Sequence, residues 1–268
     1  MLRKIVITTA ALFSIQCSQP ADSFIKNADG ATVDATAEKK ETAKIKYIHN
    51  ETSMVDLVAK IQNKESFVLV ASNPITCKAC GNIDSAYYDA LTKVLTENNM
   101  TIVKIMPDVI TGRLSSKEKT RADGTKVTQK DLVIELLAEK GLANAEEPGK
   151  VENALDFVKG LNLLSMPQDT IFIKGQPVSN DLLLPVYTDE LKADEAKLAA
   201  QLKADITADL TVIKSLLGLN DADLAAKNNA FMSGSDLNTE SYAKWLATLT
   251  TDKEEAAATE APETTEDK

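Results

Sequence analysis

The sequence has few of the residues that build closed metal sites, and it has no basic cluster of the kind that binds nucleic acid. It contains three cysteines and one histidine, His49. A zinc site needs about four such ligands, so neither a closed zinc site nor an iron–sulfur site is expected, and no cofactor is implied. The formal net charge is -10, and the lysines are scattered among aspartate and glutamate. Because phosphate binding requires clustered Lys and Arg, nucleic acid is excluded as a partner.

Aromatic residues are also scarce, at 4% of the chain, whereas hydrophobic residues together make up 44%. A packed core is therefore expected, and it must be built mainly from Leu, Ile, Val and Ala. The length of 268 residues suits one domain of ordinary size with extensions, or two small domains.

Residues 1–16 have the order of a secretory signal peptide. Arg3 and Lys4 give a positive start, and the apolar run that follows ends at Ile15. This run is shorter than the roughly 20 residues of a membrane-spanning helix. Cys17 comes directly after the signal, and the arrangement resembles the bacterial lipoprotein signal, in which the cysteine is acylated and becomes the new N-terminus. The resemblance implies an extracytoplasmic protein that is anchored to a membrane through lipid on Cys17.

Two positions before Cys17 depart from the usual lipoprotein pattern. Ser14 stands where Leu is usual, and Gln16 stands where a small residue is usual. Plain secretion, with cleavage near Ala21, is the alternative. An odd thiol in an exported protein needs an explanation, and lipidation of Cys17 supplies one because it leaves the other two cysteines as a pair.

The chain after the signal divides into a folded part between two polar segments. Residues 17–43 have no apolar period and predict a flexible tether. Residues 250–268 mix Glu and Asp with Ala and Thr, contain Pro262, and predict a disordered acidic tail. Between them, we predict a domain over residues 44–188 and a helical C-terminal extension over residues 189–249.

Within the folded part, strand patterns alternate with helical patterns, which predicts an α/β fold. The continuous apolar run 67–71 predicts a central strand that is covered on both faces. An apolar stripe from Ile83 predicts one helix that follows the cysteines and ends near Asn98. Two short helices are predicted in an insert over residues 108–164, and a stripe from Leu191 to Leu217 predicts a long helix in the extension. Further strands are predicted at 44–49, 102–106 and 170–174.

The strongest functional pattern is the pair Cys77 and Cys80, which lies between the strand 67–71 and the helix. Farther along the chain, Met166 and Pro167 stand just before the strand 170–174. Together these features resemble the thioredoxin superfamily, in which a cis-proline before a later strand lies beside a Cys-x-x-Cys pair. The resemblance covers roughly residues 49–178 without the insert. It implies a thioredoxin-like fold with a helical insertion before the cis-proline strand and a helical C-terminal extension.

The same resemblance implies thiol–disulfide exchange with the thiols or disulfides of exported proteins. The attacking species would be the thiolate of Cys77, at a helix N-terminus where backbone N–H groups and the helix dipole stabilise negative charge. Lys78 adds a positive charge beside it. Cys80 would resolve the mixed disulfide, and Pro167 would hold the substrate backbone close. Electrons would pass to a redox partner protein.

Several positions leave the direction of electron flow open. Thr76 stands where the family commonly has an aromatic residue, and Ala71 stands where reductive thioredoxins carry a buried acid. Oxidation, reduction and isomerisation all remain possible functions. The alternative from another class is a thioredoxin-like lipoprotein that binds copper or a protein partner without turnover. In that case the cysteine pair is a structural bridge or a two-coordinate Cu(I) site.

Overall fold

The computed structural model describes residues 45–83, 85–142 and 147–259. The predictions for residues 1–43, which include the signal peptide, Cys17 and the tether, lie outside the described residues. The strands are β1 (Lys46–Ile48), β2 (Phe67–Ala71), β3 (Thr101–Ile105), β4 (Lys119–Thr120), β5 (Lys126–Val127), β6 (Gln168–Ile173) and β7 (Gln176–Ser179). The helices are α1 (Glu51–Gln62), α2 (Lys78–Asn82), α3 (Ser85–Glu97), α4 (Pro107–Ile110), α5 (Gln129–Leu137), α6 (Ala154–Gly160), α7 (Asp189–Lys192), α8 (Glu195–Leu217), α9 (Asp221–Met232) and α10 (Thr239–Thr259).

Five strands form one mixed sheet in the order β1-β3-β2-β6-β7. β3 pairs in parallel with β1 and β2, whereas β6 pairs antiparallel with β2 and β7. β2 is the middle strand, and all five of its residues are buried. Its unbroken apolar sequence follows from this position, since helices cover both of its faces. The predicted α/β class is therefore confirmed.

The side chains of β2 alternate between two cores, because successive residues of a strand point to opposite faces. Phe67 and Leu69 face the core that contains α1, α6 and α10. Val68 and Val70 face the core that contains α3 and α8. The architecture is thus a three-layer sandwich, with the sheet in the middle.

The segment between β3 and β6 holds the predicted insert. It consists of α4, the short hairpin β4–β5, α5 and α6. The two predicted helices of the insert are present as α5 and α6. They pack in different places. Phe157 of α6 lies in the same core as Phe67 and Leu69, whereas Val133 of α5 packs against Val109 of α4 in a separate, smaller cluster.

The C-terminal extension is helical, with two differences from prediction. The stripe from Leu191 to Leu217 is split, because Asp194 caps α8 by accepting a hydrogen bond from the Lys197 backbone N–H at 3.1 Å. In addition, α10 continues to Thr259, so residues 250–259 are helix where we predicted disorder. These residues include strong helix formers and no proline before Pro262. Residues 260–268 of the predicted tail lie outside the described residues.

None of the helices among the described residues is long and apolar enough to cross a membrane.

Candidate functional site

Cys77 and Cys80 lie just beyond the loop that leaves β2. They form a disulfide, and their Cα atoms are 5.3 Å apart. Cys77 is the N-cap of α2, and the backbone N–H of Cys80 donates to its Sγ at 3.1 Å. Cys77 is partly exposed, whereas Cys80 is buried with 5% of its surface exposed. An attacking sulfur has to be reachable and a resolving sulfur does not, so this asymmetry suits the roles predicted for the two cysteines.

The helix that carries the cysteines is shorter than predicted. α2 ends after five residues, the backbone at Ile83 is extended (φ -67°, ψ 126°), and α3 starts at Ser85. Gly81 and Asn82 precede this break, and both residue types have low helix propensity. Since the dipole of so short a helix is small, the local N–H group of Cys80 would contribute more than the dipole to stabilising a thiolate at Cys77.

A buried hydrogen-bond network that the sequence analysis missed holds the loop before Cys77. The backbone oxygen of Asn73 accepts from the N–H of Cys77 at 2.8 Å and from that of Thr76 at 3.2 Å. The side chain of Asn73 donates to Asp108 Oδ1 at 3.2 Å, and the hydroxyl of Thr76 donates to the other carboxylate oxygen of Asp108. Asp108 lies in α4, directly after β3. Because β2 and β3 are parallel, their carboxyl ends meet at one edge, and this topology could have suggested the pairing.

Replacing Asp108 with alanine is expected to destabilise the protein by about 1–3 kcal/mol. The side-chain NH₂ of Asn73 would lose its acceptor and remain buried, and the hydroxyl of Thr76 would keep only the backbone oxygen of Asn73, at 3.5 Å. Urea denaturation of the oxidised protein measures the free energy of unfolding. Asp56→Ala is the matched control, because Asp56 forms an exposed ion pair with Lys46 at 3.5 Å and its loss should cost under about 1 kcal/mol. Equal losses in the two variants would contradict the role of Asp108.

The structure places Pro167 and the cysteine loop at the same end of the sheet. The Met166–Pro167 peptide bond is cis, as the resemblance implied. In the β2–β6 ladder, Gln168 pairs with Ala71. Pro167 therefore lies just outside the end of β6, beside the point where the chain leaves β2 toward Cys77. Lys78 is exposed at the first position of α2.

A buried carboxyl group lies on the strand next to β2 rather than on β2 itself. Asp169 of β6 pairs with Val70 and is only 3% exposed. Burial raises the pKa of its carboxyl to about 7, although a hydrogen bond from the Leu182 backbone N–H at 3.3 Å opposes this effect. Asp169 was not among the predicted site residues, because a buried acid was expected only on the strand that precedes the cysteines.

The raised pKa of Asp169 predicts that the protein loses stability as pH rises. The folded protein keeps this proton up to about pH 7, whereas an unfolded aspartate releases it near pH 3.9. The free energy of unfolding should therefore fall between about pH 4 and 7, by up to about 1.4 kcal/mol per pH unit from this group. Asp169→Asn cannot ionise and keeps an acceptor for Leu182, so we expect a flatter profile and higher stability at pH 8. Urea denaturation from pH 4 to 8 measures this profile, and parallel profiles for the two proteins would contradict the prediction.

A cavity of about 360 Å³ adjoins the buried cysteine. Cys80 and Pro74 border it on the side of the cysteine loop, and Lys104 of β3 and Tyr88 of α3 border it on the side of the sheet. The cavity thus lies where the disulfide meets the core.

Among the described residues there is no group of three or more His, Cys, Asp or Glu side chains that could hold a metal ion. His49 is buried, and its ring Nδ1 lies 3.1 Å from the carbonyl oxygen of Tyr47.

Comparison of the chain with protein-family models, with curated proteins and with solved structures gave no match.

Proposed function

We propose that this chain is a thioredoxin-like protein that carries out thiol–disulfide exchange on exported proteins through Cys77 and Cys80. One observation carries the proposal: a disulfide joins a partly exposed and a buried cysteine in the first turn of a helix, just beyond the loop that leaves the central strand. A bridge across three residues closes a very small loop and so adds little to stability on the chain-entropy account. This favours a chemical role over a structural one.

Two further observations support the thioredoxin-like part of the proposal. The first is the sheet, in which the parallel strands β1, β3 and β2 are followed by β6 and β7, each paired antiparallel to the strand before it, with β2 in the middle. The second is the cis-proline that directly precedes β6 at the end of the sheet nearest the cysteine loop. The insert and the helical extension are additions around this arrangement.

The exchange proceeds in two balanced steps. The Cys77 thiolate attacks one sulfur of a substrate disulfide, which forms a mixed disulfide and releases the other substrate sulfur as a thiolate. Cys80 then loses its proton and attacks Cys77 Sγ, which closes the Cys77–Cys80 bridge and releases the second substrate thiolate. Two electrons pass from the cysteine pair to the substrate, and the two thiolates take up protons from solvent. In the opposite direction the bridge oxidises a substrate dithiol, and a redox partner protein resets the pair.

The side chains around the pair have separate roles in this scheme. The N–H of Cys80 stabilises negative charge on Cys77, and Lys78 adds a positive charge next to it. Asn73 and Asp108 hold the loop and so fix the position of Cys77. Pro167 and Met166 border the site on the substrate side.

The reduction potential of the pair tests this function. It is measured by titration of a Cys17→Ala variant of the chain in glutathione buffers. A potential between about -120 and -270 mV supports a working exchange protein, and its value indicates an oxidant or a reductant. A potential below about -300 mV marks a structural bridge and would overturn the proposal in favour of a lipoprotein that binds copper or a partner without turnover.

We also propose that lipid on Cys17 anchors the protein on the extracytoplasmic side of a membrane. The support is the order of the N-terminal sequence, with a positive start, an apolar run and a cysteine directly after it. Cell fractionation tests the anchor, since Cys17→Ala should move the protein from the membrane fraction to the soluble fraction. Retention of the variant in the membrane fraction would overturn the anchor.

A further inference from the structure

Residues 180–187, the strap, join β7 to α7 and contain neither helix nor strand. The strap is nevertheless packed on the body of the protein, because Leu182 and Tyr187 are buried in the same core as α3 and α8. A buried segment without a regular backbone ladder needs other partners for its N–H groups. Carboxyl groups supply these partners here.

Two buried carboxyl groups hold the start of the strap through its backbone. Asp169 of β6 accepts a hydrogen bond from the Leu182 N–H at 3.3 Å. Asp209 of α8 accepts one from the Leu183 N–H at 3.1 Å and another from the Tyr87 hydroxyl of α3 at 2.7 Å. Both aspartates are buried. The attachment of the strap thus depends on carboxyl groups that folding has removed from water.

A third buried carboxyl group holds the other end of the strap. Asp205, one turn before Asp209 in α8, accepts a hydrogen bond from the Tyr187 hydroxyl at 2.9 Å and one from the Gln201 side chain at 2.8 Å. Between the two attachments, Leu184 has a φ of 42°, a conformation that is strained for a residue other than glycine. Such strain persists only where the surrounding contacts hold a segment in place, so the loss of an attachment favours opening of the strap.

The three carboxyl groups have no basic partner. None of them forms a salt bridge with a lysine, arginine or histidine of the described residues. Their charged neighbours are other acids, since Asp181 and Asp209 act on Asp169, and Asp205 acts on Asp209. The other titratable groups that interact with the cluster are tyrosines of α3 and of the strap, namely Tyr87, Tyr88 and Tyr187. Ionisation of more than one acid therefore places like charges in one buried cluster.

Burial makes ionisation unfavourable for two of these acids while the strap is closed. It raises the pKa of Asp169 to about 7, and it also raises the pKa of Asp209, although hydrogen bonds to both carboxyl groups act in the opposite direction. Once the strap opens, water would reach these groups and their pKa would return toward the ordinary value of about 3.9. Opening therefore releases protons between about pH 4 and 7, and linkage requires that rising pH favours the open form in this range.

We infer that the strap is a pH-sensitive latch, which the three buried aspartates fasten to the sheet and to α8 at acid pH and which opens locally as the pH rises toward 7. Opening would expose Leu182 and Tyr187 beside Leu183 and Val186, which are already 51% and 56% exposed. An apolar surface would thus appear while the sheet stays folded, which distinguishes the latch from a loss of global stability. The inference does not depend on the proposed function.

Hydrogen–deuterium exchange of the oxidised Cys17→Ala chain from pH 5 to 7.5 tests the latch. After correction for the intrinsic exchange rate, the protection of the Leu182 and Leu183 amides should fall at least about tenfold between pH 5 and 7, because opening releases a proton. The amides of β2 exchange only through global unfolding and should stay at least about tenfold better protected throughout. Equal protection of the strap and β2 at every pH, or a strap whose protection does not change with pH, would overturn the inference.

Asparagine variants assign the pH dependence to the carboxyl groups. Asp169→Asn keeps an acceptor for the Leu182 N–H but cannot ionise, so the protection of its strap should lose most of the pH dependence. Asp209→Asn should lose part of it, and this variant keeps the test valid if Asp169→Asn fails to fold. Asp56→Asn is the matched control, because Asp56 is an exposed acid on α1 that pairs with Lys46, and it should exchange like the parent chain. Full pH dependence in both buried-acid variants would overturn the latch.

Discussion

Cys77→Ser is expected to reduce thiol–disulfide exchange to the uncatalysed background, whereas Cys80→Ser is expected to trap a mixed disulfide on Cys77. The two variants differ because only Cys77 is partly exposed and only Cys80 is buried. Cys77 starts the reaction, and in other enzymes the loss of a nucleophile costs on the order of 10⁶ in rate. Cys80 completes it, so its loss leaves the substrate attached.

Mass spectrometry after reaction with a disulfide-bonded peptide distinguishes these outcomes. Cys80→Ser should gain the mass of one peptide thiol and lose it with dithiothreitol, whereas Cys77→Ser should gain nothing. Cys17→Ser is the control for the remaining thiol and should exchange like the unmodified chain. If Cys77→Ser traps the peptide and Cys80→Ser does not, the assignment of the two cysteines is reversed.

The sequence predicted most elements of the fold because apolar patterns report burial. The run at β2 follows from its central place in the sheet, and Gly218 ends α8 as predicted. The same logic explains why the break between α2 and α3 was missed. Ile83 has an extended backbone but its side chain still packs in the core. The apolar stripe therefore continues although the helix is interrupted there. Such a pattern records which side chains are buried and leaves helix continuity undetermined.

The candidate site was predictable where it is local and hidden where it depends on distant residues. The cysteine pair and the proline stand out as short motifs. Asp108 contacts Asn73 across 35 positions of sequence, and Asp169 reaches the centre of the sheet only through the pairing of β6 with β2. The cavity beside Cys80 is likewise lined by Lys104, Lys140 and Lys192, which meet only in the folded chain. A single sequence reveals residue types that stand at a characteristic short spacing, whereas the residues of these contacts are separated by no such spacing.

Trp245→Ala is expected to destabilise the protein by about 3–5 kcal/mol, which is a large share of the stability of an ordinary domain. Trp245 of α10 is 3% exposed, and its ring centre lies 4.4 Å from that of Phe157 and 5.7 Å from that of Tyr242. Truncation would open a cavity between the C-terminal extension and the insert. Urea denaturation followed by far-UV circular dichroism measures the change in the free energy of unfolding.

Two further variants decide whether such a loss comes from the docking of α10. Val55→Ala removes an apolar side chain that is 60% exposed on α1, and it should change stability by less than about 0.5 kcal/mol. Gly160→Ala leaves Trp245 in place, but its added Cβ would lie 2.7 Å from Tyr242 Cβ and 2.8 Å from the backbone of that residue. Because α10 would have to move away from α6, a loss of about 1–3 kcal/mol is expected, with a red shift in the emission of Trp245, the sole tryptophan. If Gly160→Ala and Trp245→Ala both left stability unchanged, α10 would not be part of the core, and the extension would be an independent element rather than the cover of one sheet face.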